Sequence, residues 1–192
     1  MWRGSQTGAA HAGILAKDGK MRTIATMILL CALAPSPASA QASGGTPVSF
    51  GGDVGLFAPF EGGSSASFTG RATVDVYWWR PLGVRFAAGF AEPTLGDEPR
   101  DAKVGIGYVA ASLIRPFTEG SLRPYGHAGV GLYHLSGDRS GTQLGLTFGG
   151  GIELPLGWKH TLLTPELTAH VVSGDGPRFS LALTVGVHTR PE

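Results

Sequence analysis

Hydrophobic and polar residues alternate along most of the chain after residue 47. Between residues 144 and 154, one parity carries Leu144, Leu146, Phe148, Ile152 and Leu154, and the other carries glycine, threonine and glutamate. Successive side chains of a β-strand point to opposite faces, so this pattern predicts a strand with one apolar face. The same alternation predicts eight strands, at residues 47–58, 66–79, 82–92, 103–115, 124–136, 142–154, 162–172 and 178–189.

The predicted strands are long enough to cross a membrane. Most run for about 10–14 residues, whereas a strand of a soluble protein averages about 5–6 and a tilted membrane strand needs about 9–11. Backbone polar groups in lipid must all be paired, so a sheet there closes on itself. The sequence predicts an all-β fold, an eight-stranded antiparallel up-and-down transmembrane β-barrel. A soluble, lipocalin-like barrel, with its apolar face inward, is the alternative.

Two of the predicted strands are irregular. Prolines fall at or between the segment ends, as expected for a residue that cannot donate to a ladder, but Pro165 lies inside the seventh segment. In the fourth segment, Val104, Ile106 and Tyr108 share a face whereas Leu113 has the opposite parity. This change of parity predicts a bulge near Ala111.

Residues 21–40 have the pattern of a cleavable signal peptide. Arg22 precedes an uncharged stretch that ends at Ala34, and residues 38–40 are the small residues that a signal peptidase reads. Residues 1–20 precede a complete export signal and are interpreted as an over-long N-terminal extension. Residues 41–192 then form the outer-membrane barrel domain, with Gln41 as the predicted mature start.

The composition agrees with export and excludes several other classes of protein. The chain has 31 glycines, only 15% charged residues and a formal net charge of +1, so no electrostatic argument favours nucleic acid as a partner. Cys31 is the single cysteine and lies within the signal segment. Because it has no second cysteine to pair with, a disulfide scaffold is excluded. We therefore expect the protein in the bacterial outer membrane, after export to the periplasm.

Charged residues accumulate on the parity that faces the predicted barrel interior. Buried charges are tolerated when they are paired and hydrogen-bonded, so we interpret these residues as a salt-bridge network that plugs the lumen. A narrow polar path for small solutes, or catalytic carboxylates, would be the alternatives. The inward set is Asp53, Arg71, Asp75, Arg85, His127, Glu153, Glu166, His170, Arg178 and His188.

Aromatic residues fall near both ends of the predicted strands, as in the girdles where rings meet lipid headgroups. The turns after the second, fourth and sixth segments are assigned to the periplasm, because outer loops are the longer set in such barrels. The predicted periplasmic aromatics are Trp78, Trp79, Phe117, Tyr125 and Trp158. The predicted outer aromatics are Phe57, Phe60, Phe90, Tyr133 and Phe179.

Two glycine-rich segments carry a family resemblance. Residues 124–131, PYGHAGVG, and residues 148–153, FGGGIE, resemble the small outer-membrane β-barrel domains of the OmpA/OmpX type. The resemblance extends over the whole of residues 41–192 and implies the eight-stranded barrel. It implies little about function, because this fold hosts many activities.

His134 and Ser136 form the candidate catalytic pair. The spacing of these two residues resembles the His-x-Ser pair of small eight-stranded lipid A deacylases, which also carry a glutamate. In such a site the histidine takes the proton of the serine hydroxyl, and the carboxylate orients the histidine. Both residues have lipid-facing parity near the predicted outer end of the fifth strand. Glu153, on the next strand, has lumen-facing parity and lies near its opposite end.

The sequence favours a non-catalytic outer-membrane protein with a structural or surface-interaction role and a filled lumen. A narrow pore for small solutes and a lipid A deacylase-like hydrolase are the two alternatives. We expect a monomer whose partners are outer-membrane lipid and the barrel assembly and export machinery. No HExxH, CxxC or P-loop motif is present, so neither a cofactor nor a metal is expected.

Overall fold

The computed structural model describes residues 46–60, 63–79, 81–95, 102–137, 140–158, 160–174 and 178–189. The predicted extension and signal peptide lie outside these residues. Within the described part, no helix is long and apolar enough to span a membrane. The strands are β1 (Val48–Pro59), β2 (Ser67–Trp79), β3 (Leu82–Ala91), β4 (Thr94–Leu95), β5 (Ala102–Pro116), β6 (Arg123–Gly137), β7 (Gly141–Pro155), β8 (Thr161–Val172) and β9 (Phe179–Thr189).

The eight long strands form one closed antiparallel barrel. Their order is β3-β2-β1-β9-β8-β7-β6-β5, and pairing of β3 with β5 closes the ring. The short β4 pairs with the start of β5 and bridges Ser65 through Thr94. The predicted eight-stranded antiparallel barrel is thus confirmed, with each strand boundary within one residue of its predicted position.

The barrel wall is apolar outside and polar inside. Large aliphatic side chains stand on the outer surface, where Val54 is 56% exposed, Leu144 63% and Leu183 57%. The inward positions between them hold buried threonine, serine, histidine and charged side chains. This arrangement is the reverse of a lipocalin-like barrel, whose apolar face would line the interior.

The strand β5 keeps a single parity along its whole length. Its pairing with β3 and with β6 runs without a register shift, and Leu113 faces outward. Val104, Ile106 and Tyr108 face inward and are buried. The predicted bulge near Ala111 was therefore wrong, because these three apolar residues line the lumen rather than the lipid face.

Pro165 sits within β8 without ending it. Pairing with β9 continues through Pro165, opposite Val185. The ladder between β8 and β7 is interrupted at this point: Glu166 pairs with Gly151, and the next pair is Leu163 with Leu154. Proline has no backbone N–H to donate, which accounts for the interruption on the β7 side.

The two ends of the barrel are called here the loop rim and the turn rim. The loop rim carries the connections β1–β2, β3–β5, β6–β7 and β8–β9, and the turn rim carries β2–β3, β5–β6 and β7–β8. The half of the lumen near the loop rim holds an apolar and aromatic cluster: Phe57, Ala91, Val104, Ile106, Tyr108, Tyr133, Leu135, Val172 and Ala182. The middle and the other half hold the charged side chains.

Inward glycines make room for the buried rings. A Cβ on Gly89 would lie 2.6 Å from Cζ of Tyr108, its partner on the neighbouring strand. A Cβ on Gly151 would lie 2.8 Å from the hydroxyl of Tyr125, again its cross-strand partner. Real Cβ atoms do not approach other atoms so closely, so these rings can lie against the wall only where the wall has no side chain.

Candidate functional site

Glu166, on β8, is the centre of the charged cluster in the lumen. Its side chain is fully buried, and Nη1 of Arg71 donates to its Oε1. Nη1 of Arg85 donates to its Oε2 at 2.6 Å. The Tyr125 hydroxyl also donates to Oε2, and the Thr168 hydroxyl donates to Oε1 at 2.6 Å. Both oxygens of this carboxylate are therefore satisfied by several donors, two of which are cationic.

The Arg85–Glu166 pair crosses the full width of the lumen. The strands β3 and β8 are four places apart in a ring of eight, so they face each other across the barrel. Arg85 also forms a bidentate ion pair with Asp75, in which Nε donates to Oδ1 at 2.7 Å and Nη2 donates to Oδ2 at 2.9 Å. Its guanidinium lies 5.1 Å from the ring centre of Tyr125. A bidentate pair of this kind fixes the orientation of the guanidinium plane as well as the position of its charge.

A second chain of contacts runs from Arg71 to the seam between the first and last strands. Nε of Arg71 donates to Asp53 at 3.0 Å, and the other oxygen of Asp53 is 2.9 Å from Nε2 of His188. Asp53 belongs to β1 and His188 to β9. Thr189 reinforces the same seam, because its hydroxyl accepts a 2.8 Å hydrogen bond from the backbone N–H of Phe50.

Glu153 lies apart from this cluster, near the turn rim. It pairs with Arg123, whose Nη1 is 3.1 Å from Oε2 of Glu153. Arg123 stands directly opposite Glu153 in the β6–β7 ladder. His127 contacts the main cluster, with Nε2 3.3 Å from Oε1 of Glu166.

His170 lies in the aromatic layer rather than among the charges. Its Nδ1 is 2.9 Å from the Tyr133 hydroxyl. Its ring centre is 5.2–5.8 Å from those of Phe57, Tyr108 and Tyr133. Four packed rings thus fill the lumen on the loop-rim side of the charged cluster.

Together these contacts cross-link the lumen from wall to wall. The ion pairs join β1, β2, β3 and β8 through buried groups, and Tyr125 adds β6. Burial strengthens each attraction but also carries a large desolvation cost, so removing one partner leaves an uncompensated charge. Among the described residues, no group of histidines and carboxylates could hold a metal ion.

The structure brings together most of the residues expected in the lumen. Asp53, Arg71, Asp75, Arg85 and Glu166 form one connected cluster. Arg178 was also expected to be buried in the lumen, but it is exposed, at a bend before β9. Its carbonyl accepts a 3.1 Å hydrogen bond from the backbone N–H of Val172, so Arg178 lies at the loop-rim end of the wall, where the side chain is open to solvent.

Among the aromatics expected at the turn rim, Tyr125 is misplaced. It is buried, with 2% exposure, and donates to Glu166 inside the barrel. Trp78 is 59% exposed at the end of β2, and Trp158 is 74% exposed in the turn after β7, which are outward positions. The side chain of Trp79 lies outside the described part of the structure. Of the rings expected at the outer end, Phe57 and Tyr133 are also buried in the lumen.

His134 and Ser136 both face outward near the loop rim, but each forms its hydrogen bond with another residue rather than with the other member of the pair. Nδ1 of His134 is 3.1 Å from the Thr142 hydroxyl. The Ser136 hydroxyl donates to the backbone carbonyl of Gly105 at 3.3 Å. An activated serine would instead donate to the imidazole, which a carboxylate would hold from the other side.

Two residues of β6 that were not predicted to face the lumen also lie on its inner side, Arg123 beside Glu153 and Tyr125 beside Glu166. Arg123 and Tyr125 share the parity of His127, which was assigned to the lumen. Arg123 lies one residue before the predicted segment 124–136, and Tyr125 was predicted to be an aromatic residue at the periplasmic interface. Thr168, which contacts Glu166 and lies 3.4 Å from Arg71, has the parity of Glu166 and His170.

Comparison with known proteins relates the chain to outer-membrane barrels through structure. No protein-family profile and no curated protein sequence matches the chain. Neisserial surface protein A is 21% identical, with a TM-score of 0.60, over 74% of this chain and 96% of that chain. A major outer membrane protein from Thermus thermophilus is 15% identical, with a TM-score of 0.56, over 76% of this chain and 99% of that chain. The chain therefore has the fold of the small eight-stranded outer-membrane β-barrels, consistent with the OmpA/OmpX type.

Proposed function

We propose that this protein is a non-catalytic barrel of the bacterial outer membrane, with a structural or surface-interaction role and a lumen closed by its own side chains. The apolar outer wall supports a membrane location, since exposed aliphatic side chains cover the barrel. In this proposal the chain reaches the membrane through export and assembly machinery. It stands there as a monomer, with the loop rim at the cell surface and lipid as its surroundings.

The observation that carries the proposal is the double engagement of Glu166. Arg71 and Arg85 approach this carboxylate from one side of the ring, while Glu166 projects from the other side. The charged groups thus occupy the lumen axis, where a solute would have to pass. The aromatic layer around His170 obstructs the same axis nearer the loop rim.

Conductance in planar lipid bilayers tests the closed lumen. We expect the unmodified protein to show no steady conductance, because ions cannot pass a lumen cross-linked by buried pairs. Glu166→Ala removes the shared carboxylate and should produce opening events. Glu92→Ala, which changes an exposed residue beyond β3, is the matched control and should stay closed.

Two results would overturn this proposal. Steady conductance of the unmodified protein would establish the narrow pore instead. A Glu166→Ala variant as closed as the unmodified protein would mean that the Glu166 pairs are not what closes the lumen, because the aromatic layer around His170 would then close it alone. Heat-dependent gel mobility of each preparation would establish beforehand that the barrel had folded.

We further propose that His134 and Ser136 are not catalytic. The hydrogen bonds of Ser136 to Gly105 and of His134 to Thr142 support this view. Lipid A incubated with the folded protein should keep all its acyl chains. Loss of one chain, abolished by Ser136→Ala, would establish the hydrolase.

A further inference from the structure

The outward side chains at the loop rim divide into two unlike halves. On β9, β1, β2 and β3 the rim is aromatic, with Phe60 61% and Phe68 58% exposed. Phe60 packs against Phe179 at 5.2 Å, and Phe68 packs against Phe90 at 6.4 Å between ring centres. This half carries apolar surface up to the rim.

On β5, β6 and β7 the outward rim is polar instead. Lys103, His134, Ser136 and Thr142 are exposed there, and these four residues are called here the polar step. His134 stands opposite Gly107 on one side and Thr142 on the other, and Lys103 lies four residues from Gly107 along β5, toward the loop rim. Ser136 stands opposite Gly105. The apolar wall resumes below the step, at Val109, Leu132 and Leu144.

The lipid layer has to meet the two halves at different depths. Aromatic side chains lie at the boundary between acyl chains and headgroups, so the Phe side holds this boundary close to the rim. On the other half, two successive outward positions of β6, His134 and Ser136, are polar and do not favour acyl chains. Headgroups can therefore descend along β5–β7 by about two outward positions, each about 6–7 Å along a strand.

The chemistry of the polar step fits a phosphate group. Lys103 supplies an ammonium group, and His134 supplies a ring nitrogen, Nε2, while its Nδ1 is held by Thr142. The Ser136 and Thr142 hydroxyls add short polar groups. Beside them, a Cβ on Gly107 would meet no atom within 4 Å, so the wall is recessed next to His134.

We propose that the polar step binds the phosphorylated headgroup of a lipid in the outer leaflet, with Lys103 and His134 as the phosphate-contacting residues. This inference rests on the proposed membrane location and orientation, and it adds a defined lipid site to them. Ammonium and imidazole donors form charge-assisted hydrogen bonds with phosphate oxygens. The adjacent acyl chains would lie on the leucines and valines below the step.

Native mass spectrometry of the detergent-purified barrel with lipid A tests this site. We expect lipid A carrying its phosphates to be retained, and lipid A stripped of its phosphates to be lost. The double variant K103A/H134A should bind at least about tenfold more weakly, because it removes both charge-assisted hydrogen bonds to the phosphate. Arg115→Ala is the matched control, an exposed outward cation at the opposite end of β5. It should bind lipid A as the unmodified protein does.

Three results would overturn the site. Equal retention by K103A/H134A and the unmodified protein would exclude these residues. An equal loss with Arg115→Ala would show attraction by any surface cation. Displacement of lipid A by excess inorganic phosphate would show a site for free phosphate rather than for a lipid headgroup. The heat-dependent gel mobility of each variant shows whether its barrel has folded. A folded, membrane-inserted protein that does not retain lipid A would contradict the lipid site but not the proposed membrane barrel.

Discussion

Glu166 shows how one buried carboxylate can organise a lumen. It accepts hydrogen bonds from two guanidinium groups, a phenol and a threonine hydroxyl, all within the barrel. An isolated charge would be very costly in this environment, and the surrounding donors offset that cost. The cluster therefore depends on all its members being present.

Replacing Glu166 with glutamine should destabilise the barrel strongly. The change keeps the shape but removes the charge that Arg71 and Arg85 share, which leaves positive charge buried without full compensation. We expect the free energy of unfolding to fall by about 3–5 kcal/mol. Urea unfolding of the protein in lipid vesicles measures this change.

Glu92→Gln is the control for the same measurement. Glu92 is exposed beyond the end of β3, so its replacement should change the free energy of unfolding by less than about 0.5 kcal/mol. Similar losses for the two variants would contradict the central role of Glu166.

At the residue scale, alternation located most of the lumen cluster and failed at strand ends. Asp53, Arg71 and Glu166 lie in mid-strand, where parity decides the face. Arg178 precedes the first residue of β9, so the alternation no longer fixes its side. Tyr125 is amphipathic and near a strand end, which made it resemble a headgroup-level ring. The feature that favours its inward position is its cross-strand partner Gly151, which leaves space for the ring.

At the scale of single strands, alternation shows that two faces differ but does not say which face is inside. In β7 the apolar face meets lipid, as Leu146 shows with 54% exposure. In β5 the residues Val104, Ile106 and Tyr108 lie inside the barrel, and Tyr108 is one of the four rings of the aromatic layer. The two cases look alike in the sequence, because both faces of β5 are apolar over several residues. Only the neighbouring strands decide between them.

Leu146→Arg tests whether the outer face of β7 is immersed in lipid. Leu146 stands between Val130 and Val171 on the apolar part of the outer wall, five residues from the start of β7. A charge at such a position should lower the free energy of unfolding in vesicles by about 2–4 kcal/mol.

Leu156→Arg, in the turn after β7, supplies the comparison. This residue lies beyond the strand and is 39% exposed, so we expect a loss of about 0–1 kcal/mol. If both substitutions were equally mild, the wall at Leu146 would be facing water.

At the scale of the whole molecule, the barrel has an inside-out distribution of polarity. The closing pairs β1–β9 and β3–β5 leave no free edge among the eight long strands. The sequence could predict this closure, because strand length and alternation together require a membrane and the membrane requires a closed sheet. It could not predict the pairing of Arg85 with Glu166, since residues 81 positions apart meet only once the ring is closed.

The most direct test of this account is the gel mobility of the protein from fractionated membranes, before and after heating. A closed membrane barrel with a cross-linked lumen should resist detergent until it is boiled. We expect the protein in the outer-membrane fraction, with a compact unheated band and a shifted band after heating. A protein found in the soluble fraction, with the same mobility before and after heating, would contradict the account. It would mean that the apolar face does not meet lipid.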